Sequence, residues 1–308
     1  MIIDPLFHPG WIQFNEQRWS LTAEPLVLTP EKGDAWRLET VLYRNRQGRL
    51  VTPPRNPHLP IDFQCASERP ASRNRRKRLA LTALAEHLQE CDFGGSLSLS
   101  SVADDVRPFE WANMSARPRY TYHLDIATRE DSIDPNARKK ARKCRRLGYR
   151  CEVSQDYAAV AACLAGPEAR KGFDYRLDAA ELKRLGELMG PEHFVCFLAF
   201  NAAGEAMGTR VCLYAAGGHA LAWSAGMKTE AMKDGVNNLV AEEALDYFAG
   251  QGCSVFDFIG ANIAPVAEMK EAWGGRLVCH YSISRRGIRQ LAREAYVTAR
   301  TMMKREAK

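Results

Sequence analysis

Lys270 lies in FDFIGANIAPVAEMKEAWGG (residues 256–275), a stretch that leaves a strand, crosses Gly260 and Pro265, and offers one ammonium group ahead of a tryptophan and two glycines. A single cation beyond a strand end either faces a ligand's negative charge or caps a helix at the surface, and the residues alone leave both readings open. Asp257, at the end of the same strand, suits either of two tasks. It can take a proton or orient an amine, or it can fix the following loop by accepting backbone N–H bonds.

Other chemistries find less support. The nine cysteines are scattered without a CxxC pair and their number is odd, so neither a disulfide framework nor a zinc site is indicated. They are expected as small apolar packing residues. The seven histidines show no HExxH or paired spacing and each is read as structural; metal catalysis is disfavoured and no tightly bound cofactor is expected. The formal net charge is +6, concentrated in RNRRKR (73–78) and ARKKARKCRR (137–146). Such runs attract phosphates or simply solvate a helix face.

The elements that must position these groups come next. At 308 residues two domains are expected, with boundaries at 1–130 and 131–308. WRLETVLYRNRQGRLVT (36–52) and FVCFLAFNAAGEAMGTRVCLY (194–214) both read as strand, Gly-containing turn, strand. Each is followed later by a helix, a Gly break and a strand: 73–100 in the first half and 235–260 in the second. The repeated order predicts two similar α/β units. Between them YTYHLDI alternates apolar and polar residues. A helix then opens after Asp134 with Pro135 in its first position and closes at Gly148. The stretch 287–308 reads as a basic amphipathic helix. No segment approaches the ~20 apolar residues that span a bilayer, and MIIDPLFHPGW lacks the basic start of a signal peptide, so a cytoplasmic protein without a transmembrane segment is expected.

RPRYTYHLDI (117–126), ARKKARKCRRLGYRCEV (137–153), EARKGFDYRL (168–177), the helix GVNNLVAEEALDYFAGQG and FDFIGANIAPVAEMKEAWGG resemble, in that order, phrases of the FemAB acyltransferase family. The resemblance runs over most of residues 110–285 and includes the family's "FK-x-x-FGG" phrase, with Met269 where its phenylalanine stands. It implies an α/β (α+β) protein of two tandem GNAT-like domains, with mixed central sheets flanked by helices. It implies that Lys270 lines the acyl-transfer site, that Arg170 and Lys171 face the substrate's phosphates, and that Trp223 stands in the cleft. PHLPID (57–62) echoes a further family segment and adds Asp62.

The resemblance also implies an aminoacyl-tRNA donor and an amine acceptor, a small molecule or a peptide. Arg138, Lys139, Arg142, Arg145 and Arg146 then hold the tRNA. Two alternatives stay open. KDGVNNL (233–239) is a sparse version of the glycine loop that holds acyl-CoA pyrophosphate at a helix start, which leaves an acyl-CoA N-acyltransferase. A non-catalytic tRNA-binding protein would keep the fold and the basic helices alone.

Overall fold

The computed structural model describes residues 4–32, 35–170 and 176–286, with no side-chain description for 167–170. The predicted helix at 287–308 lies outside the described residues, as does Lys171. The chain opens with a 3-10 turn (Pro5–Phe7) and helix α1 (Pro9–Trp19), then forms β1 (Thr22–Leu28), β2 (Trp36–Arg44), β3 (Ile61–Cys65) and α2 (Pro70–Glu90). There follow β4 (Leu97–Ser98), α3 (Arg107–Trp111), β5 (Met114–Asp125), α4 (Arg129–Ser132), α5 (Pro135–Arg146), β6 (Arg150–Val153), α6 (Tyr157–Arg170) and α7 (Ala179–Met189). The last described elements are β7 (Phe194–Phe200), β8 (Ala206–Tyr214), β9 (His219–Met227), α8 (Thr229–Met232), α9 (Val236–Gly250), β10 (Val255–Asp257), α10 (Ala264–Glu271) and β11 (Arg276–Arg285).

Strands β1, β2 and β3 make an antiparallel sheet over α2, whose Ala80, Leu81, Leu84, Ala85 and Leu88 recur at helical spacing and are all buried. The other eight strands form a mixed sheet in the order β4-β11-β5-β10-β9-β8-β7-β6. Both faces of its centre are covered, so β7 reads as an unbroken apolar run. Val195, Phe197 and Ala199 face the core under α5 and α9, while Phe194, Cys196 and Leu198 face the core under α1, α6 and α7. The predicted hairpin at 194–214 is the β7–β8 pair. In the first half the second strand shrinks to a bridge from Leu50 to Arg44, because Pro53 and Pro54 lack the N–H groups that would continue a ladder. Asp134 caps α5 by accepting from the Asn136 N–H at 2.7 Å.

One local departure in this sheet creates the space used below. β9 and β10 are parallel and pair only from Val255 opposite His219 to Asp257 opposite Leu221. Beyond Asp257 the chain stays with β5, through Phe258 N–H to Tyr122 O and Ala261 N–H to Tyr120 O, whereas β9 stays with β8 as far as Met227. The sheet therefore splits between Ala222 and Gly260.

Gly226 shows how tightly the β9 side of the split is backed. A Cβ there would stand 2.3 Å from the Cys163 carbonyl oxygen and 2.7 Å from the Leu164 Cα, both backbone atoms of α6. Gly226→Ala is expected to lower stability by roughly 1–3 kcal/mol, measured as a shift of the urea midpoint at constant slope; an unchanged midpoint would show that α6 yields freely.

Candidate functional site

The split opens into a cavity of about 410 Å³ lined by Ala222 to Ala225 of β9, Phe258 to Gly260, Met269 and Lys270, with Arg55, Arg210 and Asn237 around it. Crevices beyond the carboxyl ends of parallel strands are the usual ligand sites of α/β sheets. A second cavity, of about 270 Å³, lies across the loop that leaves β10: Ile259, Gly260 and Asn262 line both. It runs into a third of about 410 Å³ through shared walls at His58, Ser101, His123 and Asp257. Two spaces thus meet at one stretch of backbone.

That stretch is held from below and from one side. Lys270 is buried, and its ammonium donates to the carbonyls of Phe258 (2.7 Å), Ile259 and Gly260 (2.7 Å). Asp257 accepts from the Ile259 N–H at 2.8 Å and from the Thr121 hydroxyl at 2.5 Å. These bonds hold Ile259 at φ 49°, a left-handed conformation that costs a β-branched residue of order 1–3 kcal/mol. The residues after Lys270 do packing work: Trp273 is fully buried, and Gly274 (φ +78°) lies where a Cβ would be 2.2 Å from the Ser132 carbonyl oxygen.

Histidines surround the second cavity. The period-2 alternation of β5 puts Arg119, Thr121 and His123 on its lining, and the register sets His123 directly opposite Asp257. His123 Nε2 is 3.3 Å from Asp257 Oδ2. His58 Nε2 pairs with Asp4 at 2.8 Å, His219 stacks edge-on at 6.0 Å from His123, and His280 keeps a buried Nδ1 without a partner. No three of the described His, Cys, Asp or Glu side chains converge as metal ligands would. Burial alone would raise the Asp257 carboxyl, but His123, the Thr121 hydroxyl and the Ile259 N–H hold it down at about 2. Burial lowers the pKa of His219 and of His280; for His58 the Asp4 carboxylate outweighs burial and the net shift is upward. All nine cysteines are free, and burial pushes Cys212 up to about 12, which leaves it no thiolate for catalysis near neutral pH.

Residues 133–270 match the family described as an acetyltransferase (GNAT) domain. FemX superposes with a TM-score of 0.62 at 12% identity, covering 91% of this chain and 92% of that one. The chain thus carries a GNAT-type domain and shares its fold with FemX. The C-terminal domain of a putative lysylphosphatidylglycerol synthetase from Agrobacterium fabrum is also similar (TM-score 0.54, 10% identity, 89% and 88% covered). So is a conserved protein of unknown function from Bacteroides thetaiotaomicron (0.50, 9%, 90% and 90%). No protein of curated function matches at a significant level.

The fold brings Lys270, Asp257 and Trp223 together at the junction of the cavities. Trp223 is buried edge-on against Trp11 (5.3 Å), and its indole N–H donates to the Arg55 carbonyl at 2.8 Å. Asp62 stands on the wall of the third cavity, where Gln64 donates to it at 2.6 Å, and Arg73 and Lys77 of the first basic run share that wall. Arg170 ends α6, its side chain outside the described ones. On α5, Arg138 pairs with Glu130 and Arg145 with Glu242 and Glu243, whereas Lys139, Arg142 and Arg146 are exposed and have no ion pair among the described residues. Sequence reasoning missed the histidines and Arg210; the polar half of the β5 alternation was the available signal for His123.

The low Asp257 pKa gives acid stability a definite sign. A carboxylate that titrates near 2 in the folded chain and near 3.8 when unfolded stabilises the fold fully above about pH 4. That contribution disappears as pH falls towards 2. Wild type is expected to lose roughly 2 kcal/mol more stability over this interval than Asp257→Asn does, measured by urea unfolding at stepped pH; parallel curves would show that the carboxylate is not held this way.

Proposed function

We propose that this protein transfers an aminoacyl group from aminoacyl-tRNA to the amine of a small molecule or peptide, in the cytoplasm where that donor is made. The observation that carries the reading is the pair of cavities meeting at Ile259, Gly260 and Asn262. The donor's acyl group occupies the cavity in the split sheet and the acceptor enters from the histidine-lined side. A reacting carbonyl and amine so placed need little further ordering. The neutral amine attacks the ester carbonyl carbon, His123 takes the proton from the attacking nitrogen, and the bond to the ribose oxygen breaks as that oxygen receives the proton and leaves as the free hydroxyl. Asp257 orients the imidazole, as a carboxylate does for a general base. Lys270 holds the dividing loop in shape, and its charge beneath that loop favours the oxyanion.

The donor assignment draws support from the position of α5. The Lys140 carbonyl would be 2.8 Å from a Cβ on Gly235, and Lys143 donates to the Lys233 carbonyl at 3.3 Å, so the basic helix flanks the start of α9 and the mouth of the donor cavity. The exposed Lys139, Arg142 and Arg146 then face incoming phosphates. FemX and a putative lysylphosphatidylglycerol synthetase are the fold neighbours whose names accord with this reading.

The test supplies purified protein with tRNA carrying labelled amino acids, a panel of amines, and labelled acetyl-CoA in a parallel reaction. RNase-sensitive transfer of label to small products is expected, and His123→Ala should slow it by about 10²–10⁴-fold. Label moving only from acetyl-CoA would replace this reading with an acyl-CoA N-acyltransferase. A His123→Ala enzyme of normal rate would leave the donor assignment standing and remove His123 from the chemistry.

A further inference from the structure

Arg210 occupies a place where a lone guanidinium is costly. It sits in β8, an inner strand of the eight-stranded sheet, and is only 2% exposed. Taking an arginine out of water costs several kcal/mol unless a partner compensates, and arginines this deep are normally paired with a carboxylate. Among the described residues the one hydrogen bond of Arg210 runs from Nη2 to Asn237 Oδ1 at 3.3 Å, its Nε has no partner, and no carboxylate pairs with it. Burial lowers its pKa, and only Cys212 and Cys151 oppose that shift.

The side chain lines the cavity in the split sheet. Arg55 lines it too, donating to the Ser224 hydroxyl at 2.7 Å and lying over the Trp223 ring at 5.5 Å. The lining also includes the apolar Ala222, Ala225, Phe258, Val266 and Met269, beside the polar Asn262 and Lys270. A cavity with cationic groups and hydrocarbon sides fits an anion carried on a short aliphatic stem. The guanidinium fork matches the two oxygens of a carboxylate. The space, about 410 Å³, is within the range that buries a small ligand.

We propose that the transferred acyl group carries a second carboxylate, which pairs with Arg210 and Arg55 inside this cavity. The chemical class is an acidic acyl group with two to three methylene-sized units between its carboxyls, either aspartyl or glutamyl from tRNA or a dicarboxylic half-thioester. The inference rests on reading this cavity as the donor pocket. Asn237 keeps Arg210 aimed into the space in the absence of ligand.

The test uses the full chain, wild type and Arg210→Met, which preserves the length of the side chain and removes the charge. Melting temperature is followed against glutarate and L-glutamate, with glutaramide, L-glutamine and sodium chloride at matched ionic strength as controls. Glutarate is expected to raise the wild-type melting temperature to a plateau, the amides to leave it unchanged, and Arg210→Met to lose the response. Arg210→Met without ligand is expected to melt at or above the wild-type temperature, because an uncompensated charge has gone; a purely structural arginine would lower it. In transfer assays glutamyl-tRNA should outrun glutaminyl-tRNA at least tenfold, with glutaryl-CoA as the thioester arm.

Equal glutarate responses in both proteins, or none in either, would overturn the proposal. So would glutaminyl transfer as fast as glutamyl transfer in a working enzyme, which would leave the aminoacyl-tRNA reading intact. An Arg210-dependent glutarate response without transfer from any tRNA would support the anion-binding cavity and remove tRNA as the source of its ligand.

Discussion

The turn at Ile259 and Gly260 is the constraint on which the site depends. Left alone, this backbone would relax out of the left-handed region, since a β-branched residue is disfavoured there. Two buried charges of opposite sign prevent it: the Lys270 ammonium gathers three successive carbonyls and the Asp257 carboxylate takes the Ile259 N–H. The ammonium is satisfied by backbone carbonyls, and the carboxylate by one backbone N–H together with the Thr121 hydroxyl and His123, groups that cannot rearrange as water would. The loop is therefore a rigid edge at which the two cavities meet, and rigidity is what holding two reactants in register requires.

The sheet makes room for that edge by a change of allegiance. Val255 to Asp257 pair with both neighbours, and beyond them Phe258 and Ala261 bond to β5. The cost is a run of β9 backbone, Ala222 onward, without a ladder partner on one side. An extended ligand inserted there can take up those bonds, so the split serves recognition as well as access. The backing of β9 by α6 at Gly226 keeps the gap from closing by collapse.

Much of this was legible in the residues and some was not. The β7–β8 hairpin, the Asp134 cap and the α9 helix follow from local patterns, apolar alternation and capping chemistry, which are encoded within a few residues. The place of Lys270 beside the loop that leaves β10 was legible for a similar reason, because its motif is contiguous. What its ammonium bonds to was not, since the three carbonyls are set by the path of the loop rather than by side-chain type. The histidines illustrate the limit more sharply. His58, His123, His219 and His280 are spread over more than two hundred residues and meet only because three different strands and a loop converge. Linear spacing carries no trace of that. Arg138 and Arg145 err in the other direction: a basic run invites a nucleic-acid reading, yet two of its members are held by Glu130, Glu242 and Glu243 from neighbouring elements.

The two sides of that edge differ in how their charges are balanced, and the difference bears on direction of transfer. In the second and third cavities several basic groups have a carboxylate at hand: His123 with Asp257, His58 with Asp4, Lys77 with Asp104. A carboxylate beside an imidazole favours its protonated form. In the cavity of the split sheet Arg210 has no carboxylate partner among the described residues, and Lys270 adds positive potential beneath the floor. On the proposed reading an anionic acyl group compensates this charge, and affinity for the donor follows from that. Once the acyl group has left as an amide, its anchor leaves with it. The same pairing that draws the donor in must then be broken for release, which sets an upper limit on how strongly the two arginines can hold their ligand in a working enzyme.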